Sequence, residues 1–434
     1  MLIAIVLILT LPRKSVVGCF LASCLCIPVA QVVVLAGVHF PVLRILIIAG
    51  LTRCMMEGGV STRGRFPGGF NRVDQIVVLW TVSQFTVLSL QWMNTQATIH
   101  NIGDFIDALG GYLVVRFLIV DSDAVRRAMT ALAIICVVQG ACMTFEYFAH
   151  VNVFGYLGGH TGLTIRDGKI RAEGVMGCLF AGVFGGATVP LFLWLRNESK
   201  SRTTAYIGIA GALAMVLTSN SSSSLLALGG SILAIAFWPL RKRMREIRWA
   251  LSLTLIGLHL VMHGPVWSLI ARIDLTGSSS GYHRYYLVDN CIRHFSDWWL
   301  LGYKYYNNWG WDMWDLCNQF VVAALGGGLI TLVLYIMVFS RSFSAVGTAR
   351  KRLNGNRREE WFVWCLGADL FANLVAHFGI NYMAQMMMTL FPVLAFISVA
   401  AFEAKQKTRS EAPMRKQLEA TPSEADTVSS WQSA

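Results

Sequence analysis

Charge is what this 434-residue chain has least of. Only 14% of its residues are Asp, Glu, Lys or Arg, against about 25% in an average soluble domain, while 55% are apolar. That balance excludes a single soluble globular domain, and it excludes an intrinsically disordered chain, which needs low hydrophobicity. Acid is scarcer than base, with 24 Asp and Glu against 36 Lys and Arg. An excess of base can serve nucleic acid, but the basic residues then cluster on a polar surface. Here they stand in short runs between apolar stretches, as in the cytoplasmic loops of a membrane protein, so no nucleic-acid partner is expected. The ten cysteines contain no Cys-x-x-Cys pair, and seven of them lie in apolar runs, where Cys acts as a small hydrophobe. Cys291 and Cys317 share one extramembrane loop, where a disulfide is open to them. No repeat of about 20–50 residues is visible, which removes support for a solenoid or an inverted-repeat transporter.

What the chain does have is long apolar runs. A spanning helix needs about 20 mostly apolar residues. Such stretches fall near 16–36, 38–52, 74–92, 103–120, 126–148, 175–195, 204–218, 223–238, 249–263, 319–340, 361–378 and 383–402, which predicts twelve spans. The apolar run from Met1 to Leu11 is too short to span. It does not read as a secretory signal, because Arg13 and Lys14 follow it instead of preceding it. Counted by alternate loops, 27 Lys and Arg fall on one side and 7 on the other, with Arg44 and Arg116 inside spans. By the positive-inside rule both termini are cytoplasmic. The expectation is an all-α polytopic membrane protein. Its transmembrane domain runs over 1–403 with about twelve helices, and a disordered cytoplasmic tail follows over 404–434.

The basic residues on the outer side fall in two loops, about 149–174 and about 264–318. The longer one is too long for an idle connection. It holds Trp267, Trp298, Trp299, Trp309, Trp311 and Trp314 together with six tyrosines, which suits an interfacial belt or a sugar-stacking platform. Ser278-Ser279-Ser280-Gly281-Tyr282-His283-Arg284 leads into a predicted amphipathic helix that carries Arg284 and Arg293. Each arginine suits bidentate phosphate contacts or snorkelling to lipid head groups. In the other loop, Asp167-Gly168 is a tight-turn signal that would fold Arg166 back toward Lys169 or Arg171, forming a basic hairpin. Ser219 to Ser224, interrupted by Asn220, form an outside turn whose hydroxyls could meet phosphate or cap a helix. Arg44, Arg116, Asp104, Asp107, Glu146, Asp369 and His377 are ionisable within or near spans, where such groups are functional candidates.

Taken in order, these motifs suggest a family. They are Arg171-Ala-Glu-Gly174, the serine turn at 219–224, Ser280-Gly-Tyr-His-Arg284, Trp298-Trp299-Leu-Leu-Gly302, Asp315-Leu-Cys-Asn318-Gln319-Phe320 and Gly326-Gly327-Gly328-Leu329. Spaced around one large outside loop, they resemble the bacterial O-antigen ligase and O-antigen polymerase superfamily of inner-membrane enzymes. The resemblance implies a glycosyltransferase that moves a glycan from undecaprenyl pyrophosphate to an acceptor sugar hydroxyl at the periplasmic face. It implies that Arg171 and Arg284 hold the pyrophosphate, with Arg166 and Arg293 in the same basic loops, and that Trp298, Trp299 and Asn318 lie toward the acceptor. Preorganised cations can stabilise such a leaving group, so no metal or other cofactor is expected. Many ligases place a His-Asn pair before the span that follows the loop, whereas this chain has Cys317-Asn318. That departure shifts the reading toward a polymerase or an exopolysaccharide enzyme. Asp315 is the nearest carboxylate, open to the role of base for the acceptor hydroxyl or of helix cap. A transporter or flippase for a lipid-linked or anionic glycan is the other reading, kept open by Arg116 and Asp104.

Overall fold

The computed structural model describes residues 1–28, 30–35, 38–58, 66, 68–272 and 280–420. Ser278, Ser279 and the end of the tail, 421–434, lie outside the described residues. Helices α1 (Leu2–Thr10) and α2 (Arg13–Cys26) are separated at Pro12, whose ring cannot continue a helix. A hairpin of β1 (Val32–Leu35) and β2 (Val38–Pro41) follows, in register Val32↔Pro41 and Val34↔His39. The predicted span 16–36 therefore ends at Cys26. Pro28 blocks the helix, and the β-branched run Val32-Val33-Val34 favours the extended chain.

The bundle continues with α3 (Val42–Gly58), α4 (Arg72–Trp92) and α5 (Thr95–Phe105), which passes through one π turn into α6 (Gly111–Leu118). Next come α7 (Ser122–Ala149), the hairpin of β3 (Thr164–Arg166) and β4 (Lys169–Arg171), α8 (Cys178–Leu195), α9 (Arg202–Thr218), α10 (Ser222–Ala236) and α11 (Met244–Val261). The large loop carries α12 (Ser280–Arg293) and α13 (Phe295–Trp298). The chain then forms α14 (Gln319–Arg352), α15 (Arg357–Ala376) and α16 (Met387–Ala420). Helix α16 runs past residue 403, where the sequence places the start of the polar tail.

Each predicted apolar stretch contains helix, though 16–36 and 38–52 also take in the β1–β2 hairpin, and the helices differ in fitness to cross a bilayer. Five stretches are long and apolar enough: Arg72–Trp92, Ser122–Ala149, Cys178–Leu195, Gln319–Arg352 and Ala384–Ser410. A sixth forms if Ser222–Ala236 and Trp238–Val261, bent by 72°, count as one span. The others fall short for visible reasons. Helix α9 has 17 residues, about 26 Å at 1.5 Å per residue, against a hydrocarbon core of about 30 Å. Helix α15 opens on Arg357-Arg358-Glu359-Glu360, and α3 carries Arg44, Arg53 and Glu57. The architecture is nearly all-α and its apolar helices suit a lipid environment. Helix α11 illustrates this, since none of its side chains is buried and Leu251, Leu253, Leu260 and Val261 face outward.

Packing uses small residues. Helices α7 and α9 meet where Gly140 lies against the backbone of Gly211, so closely that a Cβ on Gly140 would strike the Gly211 carbonyl oxygen. Helix α8 is enclosed by α9, α10 and α15, and α14 packs between α4 and α16. These contacts hold the ends of α9, α10, α14 and α15 close together, beside the β3–β4 hairpin and α12.

Candidate active site

The Asp-Gly signal forms the expected turn. Asp167 and Gly168 both take positive φ, 52° and 72°, and Arg166 pairs with Lys169 across the hairpin. Arg166 stays on its exposed side, 3.8 Å from Asp167. Arg171, at the other end of the hairpin, is buried, and its Nε has no hydrogen-bond partner among the described residues. Glu146 fixes the chain just beyond it: the backbone N–H groups of Glu173 and Gly174 each donate to a different Glu146 carboxylate oxygen at 2.9 Å. An intramembrane carboxylate that looks functional in the sequence is thus a clamp for the hairpin exit.

The serine turn is stitched to this hairpin on both sides of Arg171. Asn220 donates from Nδ2 to the Ile170 carbonyl at 2.7 Å, and the Ala172 N–H donates to the Thr218 carbonyl at 3.0 Å. Ser219, Ser221, Ser222, Ser223 and Ser224 are all buried. Ser221 occupies the N-cap position of α10 without a side-chain capping bond, while Ser219 Oγ donates back to the Val216 carbonyl at 2.8 Å and lies 3.0 Å from Ser224 Oγ.

From the opposite side comes α12. Its Arg284 is buried and donates from Nη2 to Ser223 Oγ at 2.9 Å. The backbone of Gly379 closes the third side: a Cβ there would stand 3.1 Å from Ser223 Oγ and 3.4 Å from Arg284 Nε. The segment bearing Gly379 is itself tied to the start of α14, because the Gln319 N–H donates to the His377 carbonyl at 2.9 Å and the Tyr382 N–H donates to Gln319 Oε1 at 2.6 Å. Two buried guanidinium-bearing segments, a run of hydroxyls and a glycine backbone therefore converge. Such a set can hold an anion rich in oxygen acceptors.

The large loop docks on a break in α14. Gly328 has φ 68° and ψ −172°, a conformation essentially reserved for glycine. The break frees the Leu325 carbonyl and the Leu329 N–H from each other. The first accepts from the Tyr303 N–H at 2.8 Å and the second donates to the Trp299 carbonyl at 2.8 Å. The Trp-Trp-Leu-Leu-Gly and Gly-Gly-Gly-Leu motifs are thus two halves of one backbone joint. Trp298 points into a small core with Cys291, Val321, Ala324 and Leu325, its Nε1 donating to the Cys291 carbonyl at 2.6 Å. It is a packing residue with no face to offer a sugar. Trp299 is 47% exposed and Trp311 and Trp314 are more so.

The capping question at the start of α14 has a clear answer. The cap is Asn318, whose Oδ1 accepts from the N–H groups of Phe320 at 2.9 Å and Val321 at 3.2 Å. Asp315 is not the cap and its side chain is exposed. Cys317 has its thiol pushed up to about 12 by burial and by Asp315, against the pull of Arg284. Without a bound metal it stays a thiol at neutral pH and cannot stand in for a basic imidazole. Arg293 is turned to solvent and paired with Asp289 at 2.6 Å, while Trp267 Nε1 donates to the same carboxylate at 3.0 Å. The structure thus brings Arg171 and Arg284 to one serine turn and leaves Arg166 and Arg293 at the rim. All ten cysteines are free, including Cys291 and Cys317.

Most of the charges predicted inside spans are paired at a distance from this site. Arg44 meets Asp107 at 2.7 Å and Asp104 at 3.4 Å, and Arg116 meets Asp74 at 3.1 Å. Asp369, Asn373, His377 and Tyr335 form a buried chain in which Asn373 donates to Asp369 at 2.7 Å and His377 Nε2 lies 2.6 Å from the Tyr335 hydroxyl. Of the site residues, Gly379 escapes a reading of the sequence, because only long-range folding places it beside Arg284. Comparison with family models and with curated proteins gives no match.

Proposed function

We propose that this chain is a bacterial inner-membrane glycosyltransferase that moves a glycan from undecaprenyl pyrophosphate to an acceptor sugar hydroxyl at the periplasmic face. In this reading it threads the bilayer in twelve passes with both termini in the cytoplasm. The observation that carries the proposal is the serine turn, which touches Arg284 through Ser223 and brackets Arg171 through Thr218 and Asn220.

The chemistry follows from the charges. The acceptor oxygen attacks the anomeric carbon, a new C–O bond forms, and the bond from that carbon to the pyrophosphate oxygen breaks. The electron pair leaves on the lipid pyrophosphate, where Arg171 and Arg284 neutralise the developing charge and buried hydroxyls donate to its oxygens. Asp315, exposed near Cys317 and freed of capping duty by Asn318, takes the acceptor's proton. Trp299 offers a ring to a sugar face, and Arg166 and Arg293 at the rim attract the anionic donor.

A carrier for the same glycan would be expected to hold its binding charges near the bilayer midplane. Here Arg44 and Arg116 are engaged by Asp107 and Asp74, which favours chemistry at the outer surface. The test is reconstitution of purified protein with a lipid-linked oligosaccharide donor and a glycan acceptor. Lengthened or transferred glycan with release of lipid pyrophosphate supports the proposal. Movement of intact donor across the vesicle membrane without transfer defeats it.

A further inference from the structure

Next to Arg284, the large loop assembles a second constellation, of which the transferase reading uses Asp315 alone. His283 on α12 and Asp315 and Cys317 before α14 each bring one ligand atom to a common point, with all three atoms within 4.8 Å of one another. In a tetrahedral zinc site, Zn–S of about 2.3 Å and Zn–N of about 2.0 Å put ligand atoms about 3.5 Å apart. Closing the gap asks each side chain for a shift of roughly 1 Å, within the reach of small χ rotations.

The imidazole is already prepared for such a role. His283 Nε2 lies 2.9 Å from the Asp315 backbone carbonyl, which can only accept, so Nε2 carries the proton. In the neutral ring this leaves a lone pair on Nδ1. That atom is buried and has no hydrogen-bond partner among the described residues. It stands 3.7 Å from an oxygen of Asp312. That gap calls for a positive centre between ring and carboxylate, either a proton on Nδ1 or a metal ion. Donation of the second ring N–H to a backbone carbonyl is also the usual way a ligating histidine is oriented.

We propose that His283, Asp315 and Cys317 form a zinc site that clips α12 to the chain entering α14. Thiolate, imidazole and carboxylate together suit zinc and are a poor match for magnesium or calcium. Asp312 or a solvent oxygen completes the fourth position. The clip spans 32 residues between His283 and Asp315, and it fixes the turn of α12 from which Arg284 reaches Ser223. Bound through one oxygen, the Asp315 carboxylate keeps its other oxygen toward solvent. The inference goes beyond the transferase proposal and does not depend on it.

The test uses the full chain, purified in detergent without chelator, and no glycan. Metal analysis should find about one zinc per chain. Chelation followed by cobalt(II) titration should produce a thiolate-to-cobalt charge-transfer band. Cys317→Ser should abolish the band and His283→Gln should release the zinc, whereas Cys291→Ser should leave both unchanged. Absence of bound zinc after zinc titration, with no thiolate band in the wild-type chain, would overturn the proposal. So would zinc retained at full occupancy in both Cys317→Ser and His283→Gln. If Cys317→Ser fails to fold, the wild-type cobalt band together with the Cys291→Ser control still decides the matter.

Discussion

Arg284 and Ser223 stand 61 residues apart in the chain and 2.9 Å apart in space, guanidinium Nη2 to hydroxyl oxygen. That bond sets a buried cation against the serine turn, where an anion can meet charge and hydroxyls together. Arg284→Ala and Arg171→Ala should each cut glycan transfer by at least about 10²-fold, the typical cost of removing one preorganised donor, with membrane insertion unchanged. Arg→Lys at either position should recover part of the activity, because the ammonium keeps the charge and loses the fork. Transfer assays on purified variants, with expression followed by immunoblot, check this. Full turnover in both alanine variants would remove the arginines from the mechanism.

Asp315 and Asn318 separate base from cap. Asp315→Asn should lower transfer by at least about tenfold, the weak end of what a positioned base supplies. Asn318→Asp should be nearly silent, because the two residues cap alike, and Asn318→Ala should cost about 1 kcal/mol of stability, read as a small fall in Tm. Near wild-type turnover in Asp315→Asn would move the proton to another acceptor.

The α14 joint predicts opposite responses from neighbouring glycines. At Gly328 a Cβ would meet the Leu300 carbonyl oxygen at 2.5 Å, and the backbone there suits only glycine at a cost of about 1–3 kcal/mol otherwise. At Gly326 the nearest atom, in Leu88, stands at an ordinary 3.7 Å. Gly328→Ala should lose hydrogen-exchange protection at the Tyr303 and Leu329 amides, while Gly326→Ala should keep it. Equal protection in both variants would mean that the loop is held by other contacts.

Reporter fusions test the proposed threading. Insertions within 241–248 and 341–360 should read cytoplasmic, and one within 270–280 should read periplasmic. A periplasmic signal from 341–360 would break the twelve-pass scheme.

Cysteine chemistry offers a further check. Alkylation of the unfolded, unreduced chain should label all ten thiols, as none is bonded to another. In the folded protein, burial pushes the Cys291 thiol up to about 12, which leaves about one thiolate in 10⁴ at pH 8, so Cys291 should resist labelling. A mobility shift on reduction would show a disulfide instead.

Local signals in the sequence were readable where the chain acts on itself. The Asp167-Gly168 turn, the helix bearing Arg284 and the placing of helices on apolar runs all follow from neighbours a few residues apart. Length and composition then grade the helices, and among the described residues five, or six with the bent pair, pass as spans by those two measures. What distance decides could not be read. Trp298 and Trp299 are adjacent and chemically alike, yet only the first meets Cys291, Ala324 and Leu325. Asn318 and Asp315 both look like caps, and the register of α14 chooses between them. His283 and Cys317 belong to separate motifs until α12 folds back, so the sequence shows no metal-ligand cluster.

The loop grips α14 through the main-chain groups of Trp299, Tyr303, Leu325 and Leu329 and through the buried Trp298 ring, so its path is fixed by a few residues near its middle. Exposed positions such as Trp311 and Trp314 take no part in that grip, whereas Met313 and Trp309 are packed beneath them. On the transferase proposal, the joint at Gly328 would let those exposed rings be replaced to alter what the loop meets while its anchorage stays in place.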